Sequence, residues 1–73
     1  MPRKIRELLA DYRRAGFYVS PAKGKGSHRK ITHPLLPGAL TVAGHEGDDA
    51  HHYQERDLRE ALSELEKVRK QQP

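Results

Sequence analysis

The sequence predicts a small α+β domain in the order α-β-β-β-α, with a three-stranded antiparallel sheet carrying two helices on one face. Three observations predict it. Apolar residues recur at helical spacing near both ends of the chain, three short β-prone stretches lie between them, and the connections joining those stretches are too short for parallel crossovers. The chain has 73 residues, of which 34% are hydrophobic, with one Phe, three Tyr and no Trp. Residues 1–73 are therefore expected to form a single domain. A chain this short buries only roughly 60% of the surface its unfolded form exposes, so the core is thin and a deep small-molecule pocket is not expected.

Ile5, Leu8, Leu9 and Tyr12 fall at i, i+3, i+4 and i+7 and mark the buried stripe of a first helix. Pro2 suits its first turn, Arg13 and Arg14 its C-terminal end, and Gly16 the position just beyond. Phe17-Tyr18-Val19-Ser20 reads as a first strand ended by Pro21. Ser27 to Thr32 reads as a second, alternating so that His28, Lys30 and Thr32 face one way while Ser27, Arg29 and Ile31 face the other. His33-Pro34-Leu35-Leu36-Pro37-Gly38 has the composition of a turn, and Ala39 to Ala43 that of a third strand with Leu40 and Val42 pointing together. Gly44 to His52 is polar and reads as a loop. A second helix starts near Tyr53, with Leu58, Ala61, Leu62, Leu65 and Val68 on one stripe, and the tail from Arg69 is expected to fray.

Charge narrows the function. The formal net charge is +4, but residues 1–34 hold nine Lys/Arg against Glu7 and Asp11, whereas the remainder holds five against eight acids. A basic half of this kind attracts polyanions, nucleic acid first among them. No apolar run approaches the ~20 residues that span a bilayer, charges occupy the N-terminal stretch where a secretory signal would be apolar, and cysteine is absent. These features suit a cytoplasmic protein without disulfides, thiolate chemistry or membrane attachment.

The densest chemistry lies in Lys23-Gly24-Lys25-Gly26-Ser27-His28-Arg29-Lys30. Glycines let the backbone approach a phosphate, the cations neutralise it, and the imidazole can exchange a proton near neutral pH. A phosphodiester is the substrate class this composition favours. His45, at the end of the third strand, is a candidate for a second proton-transfer group, with a loop residue of no special role as the plain alternative. His51 and His52 stand beside acids, but adjacent histidines seldom address one ion, and no metal site or other cofactor is expected. Tyr18 could stack on a base, or it could simply be core.

The order of these features resembles the HicA-type (YcfA-like) toxins of bacterial toxin–antitoxin pairs. The likeness rests on an opening helix, Ala15-Gly16-Phe17, the triplet Gly26-Ser27-His28 leading into a strand, a third strand ending close to His45, and a closing helix. It covers about Lys4 to Leu65. Two places depart from the family pattern: Ala43-Gly44-His45 stands where the family commonly has Pro-x-His, and Glu55-Arg56-Asp57-Leu58 where a Gly-Thr-Leu is usual.

The resemblance implies a double-stranded-RNA-binding-domain-like fold, cleavage of mRNA, and neutralisation by a HicB-type antitoxin. It places the catalytic histidine at His28. On that footing His28 acts as acid/base, while Lys23, Lys25, Arg29 and Lys30, with Gly24, Gly26 and Ser27, hold RNA. RNA supplies its own nucleophile in the 2′-hydroxyl, so such a reaction needs no metal. Two other readings compete. One is a small RNA-binding module without catalysis, and the other an interaction protein using Leu35-Leu36 and the acidic second helix.

Overall fold

A computed structural model describes residues 2–22 and 27–71. Along it run α1 (Ile5–Arg14), β1 (Tyr18–Val19), β2 (Arg29–His33), β3 (Leu36–Val42) and α2 (His52–Gln71). The three strands form one antiparallel sheet in the order β1-β2-β3. This is the α-β-β-β-α order expected from the sequence, and it is consistent with the double-stranded-RNA-binding-domain-like architecture.

Ile5, Leu8, Leu9 and Tyr12 of α1 are all buried, as their spacing requires. Each such side chain contributes roughly 1.5–3 kcal/mol by leaving water. The helix starts later than expected, leaving Pro2 outside it, because its first free N–H groups are satisfied from elsewhere in the chain. Ile5 N–H donates to Asp48 O at 2.9 Å and Arg6 N–H to Glu46 O at 3.1 Å. The Glu7 carboxylate accepts the Lys4 N–H at 3.1 Å, and Ala50 N–H donates to Arg3 O at 2.7 Å. The loop after β3 is thereby laced to the beginning of α1. Gly16 ends that helix at φ 93°, where a Cβ would be strained and would also lie 3.3 Å from His33 Nε2.

The alternation read for β2 is found: Arg29, Ile31 and His33 are buried, Lys30 is exposed and Thr32 half-buried. Tyr18 pairs with Thr32, Val19 with Ile31, Lys30 with Thr41 and Ile31 with Leu40. Phe17 precedes β1 instead of opening it, and packs edge-on against Tyr12 with ring centroids 5.2 Å apart. The turn and third strand need correction. β3 begins at Leu36, three residues before Ala39, so only Pro34 and Leu35 turn the chain. Pro37 and Gly38 are accommodated because β3 is an edge strand and its register with β2 shifts between Ile31 and His33. His33 is accordingly the last residue of β2 and not part of a turn. The residue is 9% exposed, and its ring accepts the Leu35 N–H on Nδ1 at 3.0 Å and meets Phe17 edge-on.

Leu58, Ala61 and Leu65 close the core from α2, with Leu62 partly buried beside them. Of the tail expected to fray, Arg69 to Gln71 continue α2 as helix, and Gln72 and Pro73 lie outside the described residues. Arg69 donates to Ala15 O at 3.2 Å and ties the end of α2 to the end of α1. Long-range pairing also redistributes the charge. Arg3 bridges Glu55 at 2.9 Å and Asp11 at 2.6 Å, Arg14 pairs with Asp11, and Lys4 with Asp49 at 2.6 Å. The basic half of the sequence is therefore not a uniformly basic half of the surface. Among the described residues, Arg6, Arg13 and Lys30 are the cations before Pro34 that enter no ion pair.

Candidate nucleic-acid interface

The helices cover one face of the sheet, and the other carries the side chains that β2 directs away from the core. His28, immediately before β2, is exposed, and so is Lys30 two residues on. Lys30 stands opposite Thr41 of β3. On its other side the Ser20 hydroxyl accepts the Lys30 N–H at 2.8 Å, and Ser20 N–H donates to Lys30 O at 3.0 Å. Ser20, His28, Arg29, Lys30 and Thr41 border one shallow depression. An imidazole, an ammonium and two hydroxyls thus share a solvent-facing surface, a combination able to hold a phosphate and exchange a proton beside it.

Ser27 adopts a left-handed backbone, φ 51°, which costs a non-glycine residue about 1–2 kcal/mol and needs surroundings that enforce it. Its hydroxyl is hydrogen-bonded to His45 Nδ1 at 3.0 Å. His45 is held in turn: its N–H donates to the Asp48 carboxylate at 3.0 Å, and Asp48 N–H donates back to His45 O at 3.0 Å. The fold therefore joins the residue before His28 to the histidine that follows β3, although 18 positions separate them in the chain.

Arg29 explains how the two segments stay together. The sequence grouped it with the RNA-binding cations, but the β2 alternation turns it inward, where it is 8% exposed. Its guanidinium donates to Gly44 O at 3.0 Å and Ser27 O at 3.3 Å. It is an internal clamp: Nη1 serves both carbonyls, and Nη2 lies 3.9 Å from the Glu46 carboxylate. Gly44 can present that carbonyl because its φ is 118°, outside the range most side chains allow. Gln54, 3% exposed, extends the brace: Nε2 donates to Ala43 O at 2.9 Å, while Oε1 accepts the His51 N–H at 2.8 Å. Sequence reasoning missed this role of Gln54, although its position three residues after His51 is that of a capping-box Gln. Thr41 was missed as well, because its place beside Lys30 depends on strand register.

Lys23, Gly24, Lys25 and Gly26 lie outside the described residues. His51 and His52 sit exposed at the start of α2, the His51 ring stacked on Tyr53 at 5.7 Å. Among the described residues, no three His, Asp or Glu side chains are grouped to hold a metal ion, and no helix is long and apolar enough to cross a membrane. The shifted titrations belong to the scaffold. Hydrogen bonds from Arg3 hold the Asp11 and Glu55 carboxyls below the usual range, and burial, with the nearby Asp57 charge, pushes the Tyr12 phenol up to about 12.

Comparison with known proteins adds an independent finding. No curated protein and no solved structure gives a significant match. A family model, described as the HicA toxin of bacterial toxin–antitoxin systems, matches residues 5–67. That span runs from the first buried residue of α1 into the last turns of α2 and includes Ser27, His28, Arg29, Lys30 and His45. The chain belongs to the HicA toxin family of bacterial toxin–antitoxin systems.

Proposed function

We propose that this toxin is an endoribonuclease that cleaves mRNA in the cytoplasm without a metal ion, using His28 as its principal acid/base group, and that a HicB-type antitoxin silences it by covering the His28 face. The observation that carries this reading is the exposure of His28 beside Lys30, with the preceding residue, Ser27, hydrogen-bonded to a second imidazole at His45.

The chemistry follows from what RNA contributes. One imidazole takes the proton of the 2′-hydroxyl, and O2′ attacks the adjacent phosphorus. Negative charge grows on the equatorial oxygens, where Lys30 stabilises it, joined by Lys23, Lys25 and the amides of Gly24 and Gly26. The P–O5′ bond then breaks as the other imidazole returns a proton to the departing oxygen. The products are a 2′,3′-cyclic phosphate and a 5′-hydroxyl. Proton transfer of this kind is worth typically 10²- to 10⁴-fold. Arg29 positions the site through the carbonyls of Ser27 and Gly44.

A non-catalytic duplex-binding module is less well supported. Of the cations around α1 that such a module would offer to a duplex, Arg3, Lys4 and Arg14 are paired with carboxylates, which leaves Arg6 and Arg13. Induced expression in bacteria separates the two. The wild-type chain is expected to arrest growth and deplete transcripts, with His28→Ala harmless at equal abundance. Equal toxicity of the two would remove His28 from the reaction.

A further inference from the structure

We propose that Tyr18 is a stacking platform for an unpaired base of the RNA strand whose phosphate lies at His28. The proposal rests on the RNA reading of that face and adds to it a subsite and a requirement for single-stranded RNA there.

Tyr18 is unusual in so small a protein. The chain has four Phe and Tyr rings in all, and the thin core takes Tyr12 and Phe17. Tyr18 remains 62% exposed. Its partner Thr32 belongs to the side of β2 that carries Lys30, whereas its neighbour Val19 pairs with the buried Ile31. Tyr18 is therefore held on the open face by strand alternation. The other exposed tyrosine, Tyr53, already has the His51 ring stacked against it. Opposite Tyr18 on the open face stands the short side chain of Thr32, with Lys30 two residues away along the same strand and its N–H bonded to the Ser20 hydroxyl.

The spacing fits a nucleotide strand. Thr32 lies four residues along the strand from His28, about 13 Å at ~3.3 Å per residue, and Lys30 lies halfway between them. RNA lying along β2 would thus meet an imidazole, an ammonium and an aromatic ring in succession. A base stacks on such a ring only when it is free of its own helix, as on other sheet surfaces that read single-stranded RNA.

The test uses the absence of tryptophan from the chain. In a full-length His28→Ala background, Tyr18→Trp places one fluorophore on the face, to be titrated with single-stranded and duplex oligoribonucleotides. The single strand should quench its emission and the duplex should not. Tyr18→Ala should weaken single-strand affinity about 5- to 150-fold, while Tyr18→Phe retains it. Quenching by the single strand supports the platform even if His28→Ala still cleaves RNA, so failure of the catalytic reading would be seen separately. Unchanged emission at saturating single strand, or wild-type affinity in a Tyr18→Ala protein with a native circular dichroism spectrum, would overturn the proposal. Loss of a co-purifying protein partner with RNA affinity unchanged would also overturn it and assign the ring to a protein contact.

Discussion

Arg29→Ala should damage both stability and activity, because the side chain braces the segments that carry Ser27 and His45. Arg29 is almost fully buried, and its guanidinium supplies hydrogen bonds to Gly44 O at 3.0 Å and Ser27 O at 3.3 Å. A hydrogen bond to a charged group contributes about 1.5–3 kcal/mol, and the longer contact falls at or below the low end. Together they should be worth about 2–4 kcal/mol. At 0.05–0.15 kcal/mol per residue, a domain this size has only about 4–11 kcal/mol in total. With a shift of roughly 4–8 °C per kcal/mol, Arg29→Ala should melt about 10–30 °C below wild type. Arg29→Lys keeps the charge, but its ammonium sits on a more flexible stem than the guanidinium whose Nη1 serves both carbonyls, so it should fall between wild type and Arg29→Ala. Melting followed by circular dichroism, with RNA cleavage measured below the variant's transition, tests this. Cleavage should fall because Ser27 and His45 are no longer drawn together. A melting temperature within about 2 °C of wild type, with unchanged cleavage, would refute the clamp.

Two further predictions concern the scaffold. The Asp11 and Glu55 carboxyls are held below their usual range by Arg3, so their stabilisation is complete above the unfolded carboxyl range near 4 and is lost as pH falls through the lower folded values. Arg3→Met should cost about 0.5–1.5 kcal/mol at neutral pH, a figure kept small because these groups are partly exposed, and should flatten the fall in melting temperature on acidification; an unchanged acid slope would contradict the assignment. Gly16→Ala should cost about 1–2 kcal/mol in backbone strain, with a further penalty where the new methyl meets His33 Nε2 at 3.3 Å. Urea denaturation should show it as a lower midpoint at constant slope, and an unchanged midpoint would contradict it.

Periodicity made much of the fold legible before any coordinates. The stripe Ile5, Leu8, Leu9, Tyr12 and the alternation through Lys30 and Ile31 each depend on side chains within one element and are found where spacing places them, as are Leu58, Ala61 and Leu65 of the second stripe, whose Leu62 and Val68 are only half-buried. What was not legible depends on partners distant in sequence. Pro2 suggested an early start to α1, yet the start is set by carbonyls of Glu46 and Asp48. Pro37 and Gly38 suggested a turn, yet an edge strand with a register shift accepts both. Arg29 looked like one more phosphate-binding cation, and only packing reveals that it faces Gly44 and Ser27. Segregated charge along the chain likewise said little about the surface, because Arg3 and Lys4 reach Glu55 and Asp49 across the fold.

The most direct measurement is the chemistry of the ends left on a defined single-stranded RNA by purified wild-type and His28→Ala protein, in parallel with circular dichroism of both. The account predicts 2′,3′-cyclic phosphate and 5′-hydroxyl ends from wild type, and at least ~10²-fold slower cleavage from a folded His28→Ala protein. Products ending in 3′-hydroxyl and 5′-phosphate, or a His28→Ala protein that cleaves at the wild-type rate, would contradict it.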